Sequence, residues 1–203
     1  MFDICPNCGL YTEEKLIEPE GPYAVCPECD YRHRFVSLPL FVLTGASGAG
    51  KSTVCLTMAA HLQACVWLET DILWGPAFDT PENNDQPFHN ACLRTAKNIN
   101  QSGRPTVLCG SATPGQYERC PQVRYFSEIH MLALVCTQSE LRRRLMSRPA
   151  NRNSASDEFV ERMVAYNQWF YDHQTGITLL DTTNQTLRET CETVGHWLAA
   201  RLL

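Results

Sequence analysis

Lysine is scarce: the 203-residue chain holds only Lys15, Lys51 and Lys97. Arginine brings the basic total to 17 against 22 acidic residues, for a formal charge of −5. That balance argues against a protein that lives by coating nucleic acid, which needs a net basic footprint. Long apolar runs are missing as well. None approaches the roughly 18 residues needed to cross a bilayer. The opening stretch, Met1-Phe2-Asp3-Ile4-Cys5, has neither a basic nor an apolar leader segment. The expectation is a cytoplasmic protein with no membrane partner. Hydrophobic residues make up 44% and charged ones 19%, enough apolar material for a packed core. The length suits one medium domain with room for a small appendage.

Cysteine is plentiful by contrast, with 11 in the chain. Four form two close pairs, Cys5/Cys8 and Cys26/Cys29, separated by 17 residues. The others (Cys55, Cys65, Cys92, Cys109, Cys120, Cys136 and Cys191) are scattered among apolar neighbours and read as small buried hydrophobes. Two residues between thiolates let one tight turn aim both sulfurs at one ion, and tetrahedral zinc needs two such turns. Each turn has proline after its first cysteine, as Cys5-Pro6-Asn7-Cys8-Gly9 and Cys26-Pro27-Glu28-Cys29-Asp30. Proline presets the turn, and Gly9 or Asp30 follows where the backbone must bend further. Short hairpin strands are expected at Tyr23-Ala24-Val25 and Arg32-His33-Arg34-Phe35-Val36. The segment resembles a zinc ribbon, with Cys5, Cys8, Cys26 and Cys29 as Zn2+ ligands over residues 1–37. Metal would supply the folding energy that so small a module lacks. Tyr31-Arg32-His33-Arg34 is the patch through which such a ribbon could contact nucleic acid; a structural lid or dimer contact is the plainer reading.

After Leu38-Pro39-Leu40, the strand-like Phe41-Val42-Leu43-Thr44 runs into Gly45-Ala46-Ser47-Gly48-Ala49-Gly50-Lys51-Ser52-Thr53. This is a full match to Gly-x4-Gly-Lys-Ser/Thr. A helical pattern follows, with Val54, Met58 and Leu62 on one face. Strand, loop and helix in that order are the context the motif requires. Small side chains let main-chain amides converge on phosphate oxygens, and the helix N-terminus adds its dipole. Lys51 reaches the β- and γ-phosphates, and the Ser52 hydroxyl takes a place on Mg2+. Residues Gly45 through Thr53 are therefore the expected ATP cradle.

Further strands are expected at Cys65–Glu69, Thr106–Cys109, His130–Cys136 and Thr178–Leu180, separated by helical patterns. Two helices open with Ser/Thr-x-x-Glu capping signatures, Thr137-Gln138-Ser139-Glu140 and Thr186-Leu187-Arg188-Glu189. The fold class is α/β: a P-loop three-layer sandwich with a five-stranded parallel sheet over residues 38–203, preceded by the zinc-ribbon module. No Asn-Lys-x-Asp guanine signature and no Leu-Ser-Gly-Gly-Gln transporter signature occurs. What remains is the small-molecule kinase group.

Three features favour a kinase. Leu68-Glu69-Thr70-Asp71 resembles the strand end of small P-loop kinases, in which the final Asp faces the acceptor hydroxyl. Asp71 is then the base or hydroxyl-orienting group, with Glu69 as the other candidate and a helix N-cap as the bland alternative. Val107-Leu108-Cys109-Gly110-Ser111-Ala112 is similar to the Cys-Ser-Ala segment of gluconate-kinase-like enzymes, and it lacks a Walker-B aspartate. Asp181 belongs to the last strand instead, with Asp181-Thr182-Thr183 near the adenine. Finally, Arg142, Arg143, Arg144, Arg148 and Arg152 form a run, and Arg148-Pro149-Ala150-Asn151-Arg152 resembles the phosphoryl-clamping lid of nucleotide-kinase-like folds. A solvated helix face accounts for Arg143 and extends to Arg144. The domain thus resembles the adenylate-kinase-like P-loop kinases, and with its ribbon a bacterial group called nucleoside-kinase-like ATPases. The resemblance implies phosphoryl transfer with Lys51, Asp71, Arg148 and Arg152 at the reaction centre. A nucleoside or nucleotide is the expected acceptor and a sugar acid its rival; a nucleotide-switched binding protein is the reading from another class. The acceptor pocket is expected between Asp71 and the helix around Ala91–Ile99. Trp74 and Phe78 are placed to stack on a base and His89 or Asn90 to bond its edge, while Phe159, Met163, Asn167 and Phe170 read as core.

Overall fold

The computed structural model describes residues 2–152 and 154–202. Three short strands, β1 (Leu16–Glu18), β2 (Tyr23–Val25) and β3 (Arg32–Arg34), form an antiparallel sheet in the order β1-β2-β3. The sequence pattern foresaw β2 and β3; β1 is an added partner pairing Leu16 with Val25.

The parallel sheet contains β4 (Leu40–Gly45), β5 (Val66–Glu69), β6 (Thr106–Cys109), β7 (Ile129–Val135) and β8 (Ile177–Asp181), in the order β5-β6-β4-β7-β8. Strand β4 is central and wholly buried, as an apolar run covered on both faces must be. On one face, α1 (Lys51–His61) and α6 (Leu187–Ala199) bring Val54, Met58, Val194 and Trp197 onto Phe41 and Leu43. On the other, α2 (Gln86–Asn100) and α5 (Asp157–Asp172) pack Cys92, Leu93 and Phe170 onto Leu40 and Val42. Short α3 (Pro114–Glu118) follows β6, and α4 (Gln138–Met146) packs Leu141 and Leu145 against Val160 and Val164 of α5. Six of the scattered cysteines are buried and Cys191 is half-buried, as expected of small apolar fillers. No helix among the described residues is long and apolar enough to cross a membrane.

The sheet order sends the chain outward from β4 to β5, back to β6 and across to β7. Ligands of open α/β sheets bind beyond the strand carboxyl ends, where that order reverses. Register aligns those ends, with Leu43 opposite Cys109 and Cys109 opposite Glu69. Close approach demands glycine at two places. A Cβ at Gly45, where φ is +136°, would run into the Leu134 carbonyl, and one at Gly110 would strike the Thr70 hydroxyl.

The two capping signatures behave differently. Thr186 and Glu189 make the full reciprocal box. Thr137 accepts from the Glu140 amide, but its own amide donates to Thr183 Oγ1 at 2.9 Å. The Glu140 carboxylate instead receives Arg143 and Arg144 at 2.7 Å, and these donors hold its pKa down to about 2. Charge-assisted partners outcompete a neutral amide.

Candidate active site

The loop after β4 wraps the start of α1, whose N-cap is Gly50 in the left-handed conformation. Lys51 Nζ folds back to donate to the carbonyls of Gly45 at 2.8 Å and Ala46 at 3.1 Å. Burial lowers the pKa of this amine to about 8. Ser111 Oγ also donates to the Gly45 carbonyl at 3.2 Å, and Thr44 Oγ1 exchanges hydrogen bonds with Ala112, tying the segment after β6 to the loop.

A cavity of about 520 Å³ opens over this loop. It brings together Lys51, Ser52, Thr53, Asp71, Arg148 and Arg152, from three separated stretches of chain. Ser47, Gly48 and Gly50 also line it, while Ala46 and Ala49 are buried beneath as loop scaffold. Asp71 lies in a 3₁₀ turn (Thr70–Leu73) whose N-cap is Glu69, so the helix-cap reading of Asp71 does not hold. Arg148 and Arg152 both face the cavity, and among the described residues neither has a carboxylate partner. Burial, and next the Arg152 charge, push the Arg148 pKa below its ordinary value, an arrangement that favours an anion between them.

Glu69 is the residue the sequence reading underweighted. The Ser52 hydroxyl donates to its Oε1. A carboxylate thus stands beside the hydroxyl of Gly-Lys-Ser, from β5, where a Walker-B aspartate would come from β6. The signal lay one position after Leu68, masked by the more familiar Asp71. Arg144 is a second such residue, and the solvated-face reading fails for it. It bonds Thr182 Oγ1 at 3.0 Å, the Thr182 carbonyl at 2.8 Å and the Ala49 carbonyl at 3.5 Å. It thereby ties α4 to the phosphate loop and to the segment after β8. Thr182 and Gln185 share a cleft with Gly48, Ala49 and Thr53, while Asp181 caps the Thr183 amide at 2.8 Å.

A second cavity, of about 700 Å³, adjoins the first and shares Ser47, Asp71 and Ser111 with it. Trp74, Phe88 and His89 form one wall, while Met163, Tyr166 and Trp169 of α5 form the other. The helix contributes from its first turn rather than from Ala91–Ile99. That later stretch packs Cys92, Leu93 and Ala96 in the core. Phe78 sits behind Phe88 with ring centres 5.9 Å apart, and Asn90 Nδ2 reaches Glu13 at 3.4 Å, so neither serves the cavity as expected. Of the residues read as core on α5, Asn167 and Phe170 are buried, but Met163 borders the cavity.

At the N-terminal module, Cys5 and Cys29 sulfurs lie 3.7 Å apart, as do those of Cys8 and Cys26. All four lie within 4.8 Å of one another. A tetrahedral ion about 2.3 Å from each sulfur sets them about 3.8 Å apart, so the donor set and its spacing fit zinc. Gly9 and Asp30 occupy equivalent left-handed positions after the two turns, at φ of 77° and 55°. Part of the basic patch beside them is engaged, while Tyr31 and Arg34 are exposed. Arg32 pairs with Glu18 and lies over Tyr23, and His33 stacks on Phe2 at 5.0 Å.

The sheet and its helices are similar to those of several solved structures. A sugar kinase from Janibacter sp. HTCC2649 aligns with a TM-score of 0.59 at 17% identity, over 82% of this chain and 96% of that one. A gluconokinase from Sinorhizobium meliloti 1021 aligns with a TM-score of 0.58 at 18% identity, over 83% and 94%. Shikimate kinase from Acinetobacter baumannii gives 0.54 at 17% identity, over 83% and 97%. At such identities the likeness speaks for the fold, which is that of P-loop kinases. No curated protein matches the sequence. A family model described as AAA domain matches residues 40–172, more than half of the chain. The chain belongs to that AAA domain family.

Proposed function

We propose that this protein is an ATP-dependent phosphotransferase that moves the γ-phosphate to a hydroxyl or phosphate of a small molecule, a nucleoside or nucleotide in the first instance. The observation that carries the reading is the position of Asp71. It borders both the phosphate-loop cavity and the aromatic cavity beside it, where a donor and an acceptor would meet. In this reading, Gly45 through Thr53 hold the triphosphate, with Lys51 on its terminal phosphates. Asp71 orients the acceptor hydroxyl and accepts its proton. Arg148 and Arg152 neutralise charge on the group in transit, the main demand of phosphoryl transfer. Mg2+ would be held by Ser52 with Glu69 beside it, an oxygen donor set suited to a hard cation. When bound, it supplies further neutralisation of the phosphates. Residues 1–37 form the module that would hold Zn2+, and 38–203 the kinase domain.

Asp71→Asn tests the reading. Transfer of radiolabelled γ-phosphate should fall by about 10²-fold or more, while ATP affinity by calorimetry stays near that of the parent. A gluconate-kinase-like sugar-acid acceptor is the alternative within the same reading. ATP turnover that requires nucleic acid and ignores Asp71 would instead favour a nucleotide-switched binding protein. The paired Arg32 and stacked His33 weigh against that outcome.

A further inference from the structure

The aromatic cavity is short of positive charge, for reasons that begin in the composition. Lys51 belongs to the phosphate loop. Lys15 and Lys97 are buried at the N-terminal module, where Lys15 Nζ donates to the Phe2 carbonyl at 2.7 Å and Lys97 Nζ to Asp3 at 2.6 Å. Of the nearby arginines, Arg142 pairs with Glu161 and Arg144 with Glu140 and Thr182, while Arg148 and Arg152 face the adjoining phosphate cavity. Among the described residues, Arg162 is the only guanidinium or ammonium lining this cavity. It is exposed, and its charge lies over the Phe159 ring at 5.3 Å. Asp71 and Asp85 oppose it from the same lining. His89 adds no charge near neutral pH, because burial lowers its pKa below the ordinary value.

What remains is a set of flat apolar faces. Trp74 meets Phe88 edge-on at 4.9 Å, and Tyr166 and Trp169 stand on the α5 wall. Among the described residues of this lining, His89 is 3% exposed and its Nδ1 is buried without a hydrogen-bond partner. A ligand bearing a carboxylate would leave water for a lining with an excess of negative charge, which is costly. A neutral ring gives up little hydration and gains aromatic contact, and its polar edge would meet the His89 imidazole in the wall.

We infer that the acceptor is an uncharged hydroxyl compound carrying a flat aromatic or heteroaromatic ring, its hydroxyl at Asp71 and its polar ring edge at the His89 imidazole. The inference rests on the kinase reading above and narrows it: sugar acids and other carboxylate-bearing acceptors fall outside the class.

The test uses the full zinc-loaded chain, saturated with a non-hydrolysable ATP analogue and magnesium. Tryptophan fluorescence is titrated with uridine, inosine, uridine monophosphate, gluconate and shikimate, and transfer from labelled ATP is measured for each. A saturable response and transfer with a neutral nucleoside, exceeding those with every anionic probe, is the expected result. His89→Ala should weaken nucleoside binding about tenfold without changing affinity for the ATP analogue. Met163→Arg supplies the missing cation and should raise shikimate affinity about tenfold, a gain that damaged folding cannot produce. Preferential use of gluconate, shikimate or uridine monophosphate overturns the inference, and so does failure of both nucleosides to bind. Transfer to an acid that still requires Asp71 would leave the kinase reading standing. Failure to bind the ATP analogue would remove that reading itself.

Discussion

At the scale of single residues, the phosphate loop carries a titration that can be measured. Lys51 is buried, and burial disfavours its charged form, so its amine loses a proton near pH 8 instead of near 10.5. A triphosphate favours the charged amine and raises that pKa again. Above pH 8 the free protein is therefore deprotonated at Lys51 and the bound one is not, so binding takes up a proton. ATP affinity should fall as pH rises beyond 8, by up to about tenfold per pH unit. Calorimetry at pH 8.5 in two buffers of different ionisation enthalpy would read proton uptake directly. Lys51→Met should bind more weakly and lose this dependence; an unchanged slope would mean another group titrates. The role of Lys51 is legible in the sequence because its neighbours in the motif are its neighbours in space. That of Glu69 is not, since its contact with Ser52 spans 17 positions of sequence and requires β5 to end beside the loop.

At the scale of elements, the segment joining α4 to α5 combines a fixed root with arginines that face the phosphate cavity. Glu140 fixes Arg143 and Arg144, and Arg144 reaches Thr182 and Ala49, so α4 is anchored to the loop it serves. Beyond its C-cap at Ser147, Arg148 and Arg152 face the phosphate cavity. These arginines differ in what they should do when removed. Arg148→Ala should cut phosphoryl transfer by about 10²-fold with little change in melting temperature, because a half-buried arginine facing a like charge contributes no stability. Arg144→Ala should lower the melting temperature, through its lost ties to Thr182. Activity assays beside thermal melts separate the two; equal effects on both readouts would contradict the division. Sequence pattern separates such arginines poorly. All lie within one basic run, and only the approach of β8 distinguishes Arg144 from its solvated neighbour Arg143. Likewise α5 reads as an amphipathic core helix, and the cavity it walls exists only once α2 faces it.

At the scale of the whole molecule, the N-terminal module is joined to the helix that opens the aromatic cavity. Asp3, two positions before Cys5, accepts from Lys97 at 2.6 Å and from Arg94 at 2.8 Å, and the Asp3 and Lys97 side chains are nearly inaccessible. Glu13 receives Arg94 and Asn90 from the same helix, and Phe2 and Phe35 share an aromatic cluster with Tyr125. None of this is visible in spacing, because Asp3 and Lys97 stand 94 positions apart. With zinc on their sulfurs, the four cysteines would hold Asp3 and Glu13 in place, so that metal and interface would stand together. Stripping the metal with a chelator should release one zinc ion per chain and free Asp3 from Lys97. A buried ion pair broken on one side costs about 3 kcal/mol, or about 6–12 °C of melting temperature in a chain of this size. Lys97→Met, which leaves buried Asp3 with Arg94 alone and touches no cysteine, should reproduce most of that fall and should add little to it once zinc is gone. The phosphate loop is not part of this contact, so ATP affinity should stay within about twofold of that of the zinc-loaded protein. A module that merely rides on the surface would lose its zinc without moving the melting temperature of the kinase domain.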